Sequence, residues 1–275
     1  MTLPPPVTVA FLDAMAAFAL QGGAIALRYH GKLARVETKA DQSPLTAADI
    51  AVDAYLCAEL ARAFPGVPIV TEEQAASQKI RHPHGRFFLV DPIDGTREFV
   101  AERGEFTINI GLIENSRPVA GAVFAPAIGR MFAGATGLGG FEIIAGKRKK
   151  LVLAKPDNGA LVVVATRSHP TPETETFLQA NTIGRLTNAG SSLKFCMLAA
   201  GEADLYPRFG PTMEWDTAAG HAILAAAGGI VEQISGLPLN YGKPGYRNPF
   251  FVAYTPGTKF NLAPVRQPAQ DRKQN

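Results

Sequence analysis

This sequence has few cysteines, only two in 275 residues, and they give no disulfide framework to reason from. Cys57 and Cys196 each lie within an apolar, helix-like stretch, so both are read as reduced core residues. No Cys/His cluster has zinc spacing, and His82-Pro83-His84 reads as a solvated loop. The net charge is also small: +3 at pH 7 is too little to argue for a nucleic-acid partner. It is compatible with a local basic pocket for an anionic substrate. No stretch reads as long and apolar enough to cross a membrane. The N-terminus lacks a basic leader region and Asp13 interrupts its apolar run, so no signal peptide is expected. A cytoplasmic location follows, with peripheral attachment to the cytoplasmic face of the inner membrane left open. There is no internal repeat or long low-complexity tract, although the Gln/Lys-rich end after Pro264 is expected to be disordered.

A hydrophobic share of 47% and a charged share of 19% are ordinary for a globular chain, long enough for one large or two medium domains. Residues 7–29 have helical spacing, with Phe11, Met15, Phe18 and Ile25 on one face that reads as core or homodimer contact. Gly22-Gly23 would weaken that helix and permit close packing. The polar, proline-interrupted stretch 39–46 reads as a loop into a second helix, with Thr46 as N-cap and Phe64 near its end. Asp49 falls in the first turn, where a carboxylate favours the helix dipole. Pro68-Ile69-Val70 reads as a strand ending at Thr71-Glu72-Glu73. Residues 86–90 form another, stopped by Pro92 and by Asp94-Gly95. Runs between 106 and 144 suggest an antiparallel meander, and Lys147-Arg148-Lys149-Lys150 a solvated turn.

A linker-like composition near 155–159 divides the chain into an N-terminal domain, 1–154, and a C-terminal one, 155–275. Leu161-Val162-Val163-Val164-Ala165 reads as a strand buried on both faces, with Arg167-Ser168-His169 at its end. Gly190-Ser191-Ser192 opens a helix with Leu193, Cys196, Met197 and Ala200 on one face. Its N-terminus is a candidate anion site. Lys194, in its first turn, opposes the helix dipole, a cost that makes sense if the lysine meets an anion. Residues 203–206 read as a strand, and Glu214-Trp215-Asp216 opens a helix that stops at Gly228-Gly229.

The chemistry concentrates in Asp91-Pro92-Ile93-Asp94-Gly95-Thr96. Two carboxylates at a strand end, with a backbone carbonyl between them, suit a hard divalent cation such as Mg²⁺. Gly95 lets the backbone approach a ligand, and the N–H groups after it could hold a phosphate. The plainer reading of that stretch is an Asp-Gly turn with solvated carboxylates. Glu72-Glu73 at a neighbouring strand end argues instead that two strand ends share a cation.

At this stretch the chain resembles the Mg²⁺-dependent, Li⁺-sensitive phosphatases that include inositol monophosphatase and fructose-1,6-bisphosphatase. The segment 39–49 matches their Lys-x-Asp-x-Ser-Pro-x-Thr-x-Ala-Asp pattern, and 215–220 their Trp-Asp-x-Ala-Ala-Gly signature. Arg97-Glu98-Phe99 and the run from Tyr206 to Asp216 are similar to the 3'(2'),5'-bisphosphate nucleotidase branch. The likeness covers about 39–253. It implies an α/β fold, a layered αβαβα sandwich. It also implies a first Mg²⁺ held by Glu72, Asp91 and the Ile93 carbonyl, and a second held by Asp91, Asp94 and Asp216. A third, weaker Mg²⁺ near Glu72 belongs to the family pattern. The implied catalytic groups are Glu72 and an Asp49–Thr96 relay onto a water. The cleaved phosphate would meet Ile93, Asp94, Gly95, Thr96 and Asp216, and the nucleotide would meet His169, Ser191, Lys194 and Arg208. The expected reaction is hydrolysis of 3'-phosphoadenosine 5'-phosphate to AMP and phosphate, with the corresponding phosphosulfate as a second candidate substrate. An inositol or sugar monophosphatase with the same metals is the nearest alternative enzyme. A catalytically silent anion-binding regulator is the alternative of another class.

Overall fold

The computed structural model describes residues 6–32, 36–38, 44–79, 85–102, 104–165 and 171–266. The chain opens with α1 (Val9–Tyr29), the antiparallel pair β1 (Val36–Thr38) and β2 (Pro44–Thr46), and α2 (Ala47–Ala63). Then come β3 (Ile69–Thr71), β4 (Arg86–Asp94) and the short helix α3 (Thr96–Val100). The meander follows as β5 (Thr107–Glu114), β6 (Arg117–Ala125), β7 (Arg130–Ala135), β8 (Gly139–Ile144) and β9 (Lys147–Lys150). After Lys150 the chain builds β10 (Leu161–Ala165), α4 (Pro172–Gln179), β11 (Ile183–Asn188) and α5 (Leu193–Ala199). It closes with β12 (Leu205–Arg208), α6 (Glu214–Ala226), β13 (Ile230–Gln233) and β14 (Phe251–Tyr254).

Strands β3 to β9 form one seven-stranded sheet in sequence order, antiparallel except for the parallel pair β3–β4. A five-stranded sheet has the order β11-β10-β12-β14-β13, with β10 parallel to both neighbours. Strand alternation deals their side chains to separate cores. Phe88, Val90, Ile108, Ile110 and Leu112 point to α1 and α2. Phe87, Leu89 and Ile113 join the core under α5 and α6, which also takes Val164, Tyr206, Phe251 and Ala253 from the second sheet. Leu161, Val163, Leu205 and Val252 face the other way, onto Phe177 of α4. The result is the layered αβαβα sandwich.

Helix α6 is drawn close to the first sheet by missing side chains. A Cβ on Gly121 would sit 2.2 Å from the Ala219 carbonyl oxygen, and one on Gly111 2.7 Å from Ala218 Cβ. That contact sets where the N-terminus of α6, and with it Asp216, meets the sheet. Gly23 gives α1 the same kind of approach, since its Cβ would fall 2.4 Å from Phe124.

Several local expectations change. Lys147–Lys150 is not a turn but β9, paired antiparallel to β8. Lysines suit the exposed rim of a sheet, where they discourage edge-to-edge association. Strand β4 does not stop before Pro92; it runs to Asp94 through a register shift. The strand expected at 203–206 lies at Leu205–Arg208. Helix α1 is, by length and composition alone, long and apolar enough to cross a membrane, contrary to the reading that no stretch is. Half of that stretch is buried, with Phe11, Leu12, Met15 and Ala19 packed in the core beside α2.

Candidate active site

The two aspartates of the central stretch are three residues apart, which in a regular strand would point them to opposite faces. The register removes the difficulty. Asp91 pairs with Asn109 and Asp94 with Thr107, so three steps on β4 oppose two on β5. One extra residue is a bulge, and it puts both carboxylates on the face that looks toward α5 and α6. Pro92 lies within the bulge, where no ladder donor is required. The Ile93 N–H donates to Asp91 Oδ1 at 3.1 Å and holds the turned backbone. Gly95 follows at φ +90°, and a Cβ there would press on the Glu105 carbonyl at 3.1 Å, so only glycine fits.

Glu72 arrives from the end of β3, which lies parallel to β4, and its N–H donates to the Val90 carbonyl at 3.2 Å. The Gln78 amide fixes the Glu72 carbonyl at 2.9 Å. Asp216 enters from the first turn of α6, where its Oδ2 accepts from the Met213 N–H and the Thr212 hydroxyl, each at 2.8 Å. Oxygens of Glu72, Asp91 and Asp216 lie within 4.8 Å of one another. Asp94 stands beside this group rather than in it. Its Oδ2 is turned toward the Asn109 amide at 3.4 Å and the Ser192 hydroxyl at 3.3 Å.

Burial and mutual repulsion give the cluster its character. The Asp91 carboxyl is raised well above the ordinary range by burial, then by Glu72, Asp94 and Asp216. Burial lifts Asp94 to about 6 against the opposing pull of Lys194, and lifts Asp216 to about 6 with help from Asp94. Crowded carboxylates, Asp91 buried and the other three half-buried, with no nitrogen or sulfur donor among them, are the chemistry a hard divalent cation relieves. The residues present therefore fit such ions.

Asp49 lies fully buried at the start of α2. Its Oδ2 accepts from the Thr46 N–H at 2.8 Å and the Thr46 hydroxyl at 2.6 Å, closing a capping box. Its Oδ1 lies 3.3 Å from the Thr96 hydroxyl. The helix-dipole reading and the relay reading thus describe different oxygens of one carboxylate. The single proton of Thr96 has a second acceptor, the Ile93 carbonyl at 3.0 Å.

Lys194 is buried at the start of α5, and its ammonium donates to the carbonyls of Ser191 at 2.8 Å and Ala189 at 3.2 Å. It sits 5.3 Å from the centre of the Tyr206 ring. Burial and then Arg208 lower it to about 8. The half-buried Arg208 donates to the Pro211 carbonyl at 2.6 Å, while its buried Nε has no acceptor among the described residues. Both cations act electrostatically on Asp94. Ser191 takes a positive φ of 48°, and its buried hydroxyl finds no partner among the described residues. His169 lies outside the described residues.

Sequence reasoning missed Asn109, Thr212 and Ser192. Ser192, not Ser191, touches Asp94, and its hydroxyl also meets the Asp216 carbonyl. A Thr four residues before a helix-opening Asp was a usable signal for Thr212. Asn109, set in an apolar strand, was a weaker one.

The sequence profile of the Inositol monophosphatase family matches residues 8–252. The 3'(2'),5'-bisphosphate nucleotidase CysQ of Escherichia coli (strain K12) is 44% identical over 234 residues, 84% of this chain and 93% of that protein. The crystal structure of CysQ from Bacteroides thetaiotaomicron superposes with a TM-score of 0.78 at 37% identity, covering 90% of this chain and 99% of that one. Thermotoga maritima IMPase TM1415 superposes at 0.74 with 25% identity, over 90% and 92%.

Proposed function

This chain belongs to the inositol monophosphatase family, a metal-dependent family, and from that premise we propose that it is a 3'(2'),5'-bisphosphate nucleotidase using Mg²⁺. It removes the 3'-phosphate of 3'-phosphoadenosine 5'-phosphate, giving AMP and phosphate, and accepts the corresponding phosphosulfate. The observation that carries the reading is the identity of 44% with a bisphosphate nucleotidase across 84% of the chain. Two cationic side chains beside the carboxylate cluster, Lys194 and Arg208, support it, since a second phosphate needs its own anchor. The cytoplasm is the place of action this reading expects.

Glu72, Asp91, the Ile93 carbonyl, Asp94 and Asp216 are the groups that would hold the cations. When bound, such ions neutralise charge on the phosphoryl oxygens and lower the pKa of water. The chain supplies the rest. Gly95 and Thr96 offer backbone N–H groups to the cleaved phosphate, close to the cluster because the bulge turns the chain there. The Thr96 hydroxyl orients the attacking water and passes a proton toward Asp49, which is within 3.3 Å and already fixed by Thr46. Lys194, Arg208, Ser191 and His169 are assigned to the nucleotide and its retained phosphate.

The test is a phosphate-release comparison of kcat/KM on 3'-phosphoadenosine 5'-phosphate, inositol monophosphate and fructose 1,6-bisphosphate. The bisphosphonucleotide is expected to lead by at least about tenfold, the worth of one charge-assisted hydrogen bond. A preference for inositol monophosphate would move the monophosphatase reading ahead.

A further inference from the structure

The face of β5 beneath the carboxylates holds two polar residues that the reaction, as described, leaves unused. Thr107 and Asn109 are both fully buried. Cross-strand partners in an antiparallel pair share a face, and these two stand opposite Asp94 and Asp91 respectively. Their neighbours Ile108 and Ile110 point to the opposite core, under α1 and α2. A buried polar pair on a strand whose other residues are apolar apart from the terminal Glu114 costs stability unless it is satisfied. It is satisfied only in part. Asn109 Nδ2 donates to Asp94 Oδ2 at 3.4 Å, but Asn109 Oδ1 and Thr107 Oγ1 have no partner among the described residues.

Asp94 depends on that amide more than the number of its neighbours suggests. The Ser192 hydroxyl, 3.3 Å from Asp94 Oδ2, has one proton and a closer acceptor in the Asp216 carbonyl. Among the described residues the Asn109 side-chain amide donates to Asp94 and to no competing acceptor. A neutral donor is also the right kind of partner. It fixes the carboxylate's direction without cancelling the charge that a cation needs, as a lysine would.

We infer that Asn109 and Thr107 form a polar floor for the cation site. Asn109 is a positioning residue that aims the Asp94 carboxylate, and the two orphan oxygens accept hydrogen bonds from water retained around the bound cations. Small divalent ions keep several waters, and outer partners of this kind commonly set metal affinity by about tenfold to a hundredfold. The inference rests on the proposed cation site, and its test separates the two.

Mg²⁺ binding to the purified chain is measured by titration calorimetry for wild type, Asn109→Ser and Thr107→Val, with thermal melting of each in a chelator. Wild type is expected to bind. Asn109→Ser raises the dissociation constant by about tenfold or more. Thr107→Val, which removes a hydroxyl with no partner among the described residues, melts at or above the wild-type temperature yet binds Mg²⁺ several-fold more weakly. That combination cannot come from a purely structural role. Unchanged Mg²⁺ affinity in folded Thr107→Val and Asn109→Ser, with wild type binding normally, overturns this inference alone. Failure of wild type to bind Mg²⁺ overturns both it and the cation site.

Discussion

Replacing Asp49 by Asn separates two functions that one carboxylate performs. Its Oδ2 closes the capping box with Thr46, accepting at 2.8 and 2.6 Å, and its Oδ1 faces Thr96 at 3.3 Å. Asn keeps one acceptor oxygen but loses the charge, so the cap weakens by about 1–3 kcal/mol, the range for a cap or a charged hydrogen bond. For a chain of this size that is a fall in Tm of roughly 2–4 °C per kcal/mol. Thr96→Ala removes only a hydroxyl shared between Asp49 and the Ile93 carbonyl, so its Tm should move little. Both variants should lose kcat by about a hundredfold or more, the usual worth of a positioned proton acceptor. The double variant should lose scarcely more than either alone, because groups acting on one water behave as a unit. The assay is steady-state phosphate release at saturating Mg²⁺, with melting curves for all four proteins. If the two losses in kcat simply multiply, the relay is wrong.

Two further outcomes follow from the electrostatics of the site. Lys194→Ala and Arg208→Ala should each lower kcat/KM for the bisphosphonucleotide by about tenfold to a hundredfold, the worth of a charged hydrogen bond. Turnover of a small monophosphate should change little; equal losses on both would assign these residues to the reacting phosphate or the fold. Asp94 and Asp216, each raised to about 6, keep a proton in the folded chain between about pH 4 and 6, where unfolded carboxylates have lost theirs. Their contribution to the cation-free protein therefore falls as pH rises through that window. A cation competes with the same protons, so the rise in Tm on adding Mg²⁺ should grow from pH 5 to about pH 7 and then level off. A rise independent of pH would contradict the shifts.

Periodicity made most of the architecture readable. Helices α1, α2 and α6 and the meander from β5 to β8 stand close to where apolar spacing puts them. The buried strand β10 was legible from its unbroken apolar run, which fits its burial on both faces between two cores. Strand β9 was not, because Lys-Arg-Lys-Lys carries no period; only its place at the rim makes it a strand. In the site, the spacing of Asp91 and Asp94 was visible, but the bulge that turns them to one face is a property of pairing with β5. Ser191 and Ser192 are indistinguishable by sequence. The positive φ of Ser191 is what leaves Ser192 facing Asp94. Asn109 escaped for a similar reason, since its partner is fifteen residues away across a strand pair.

The most direct test of the whole account is product analysis after incubating the purified chain with 3'-phosphoadenosine 5'-phosphate and Mg²⁺, with a chelated sample and a folded Asp94→Asn variant alongside. Wild type with Mg²⁺ is expected to give equimolar AMP and phosphate, and the other two samples neither product. Full turnover by the chelated enzyme or by Asp94→Asn would contradict it.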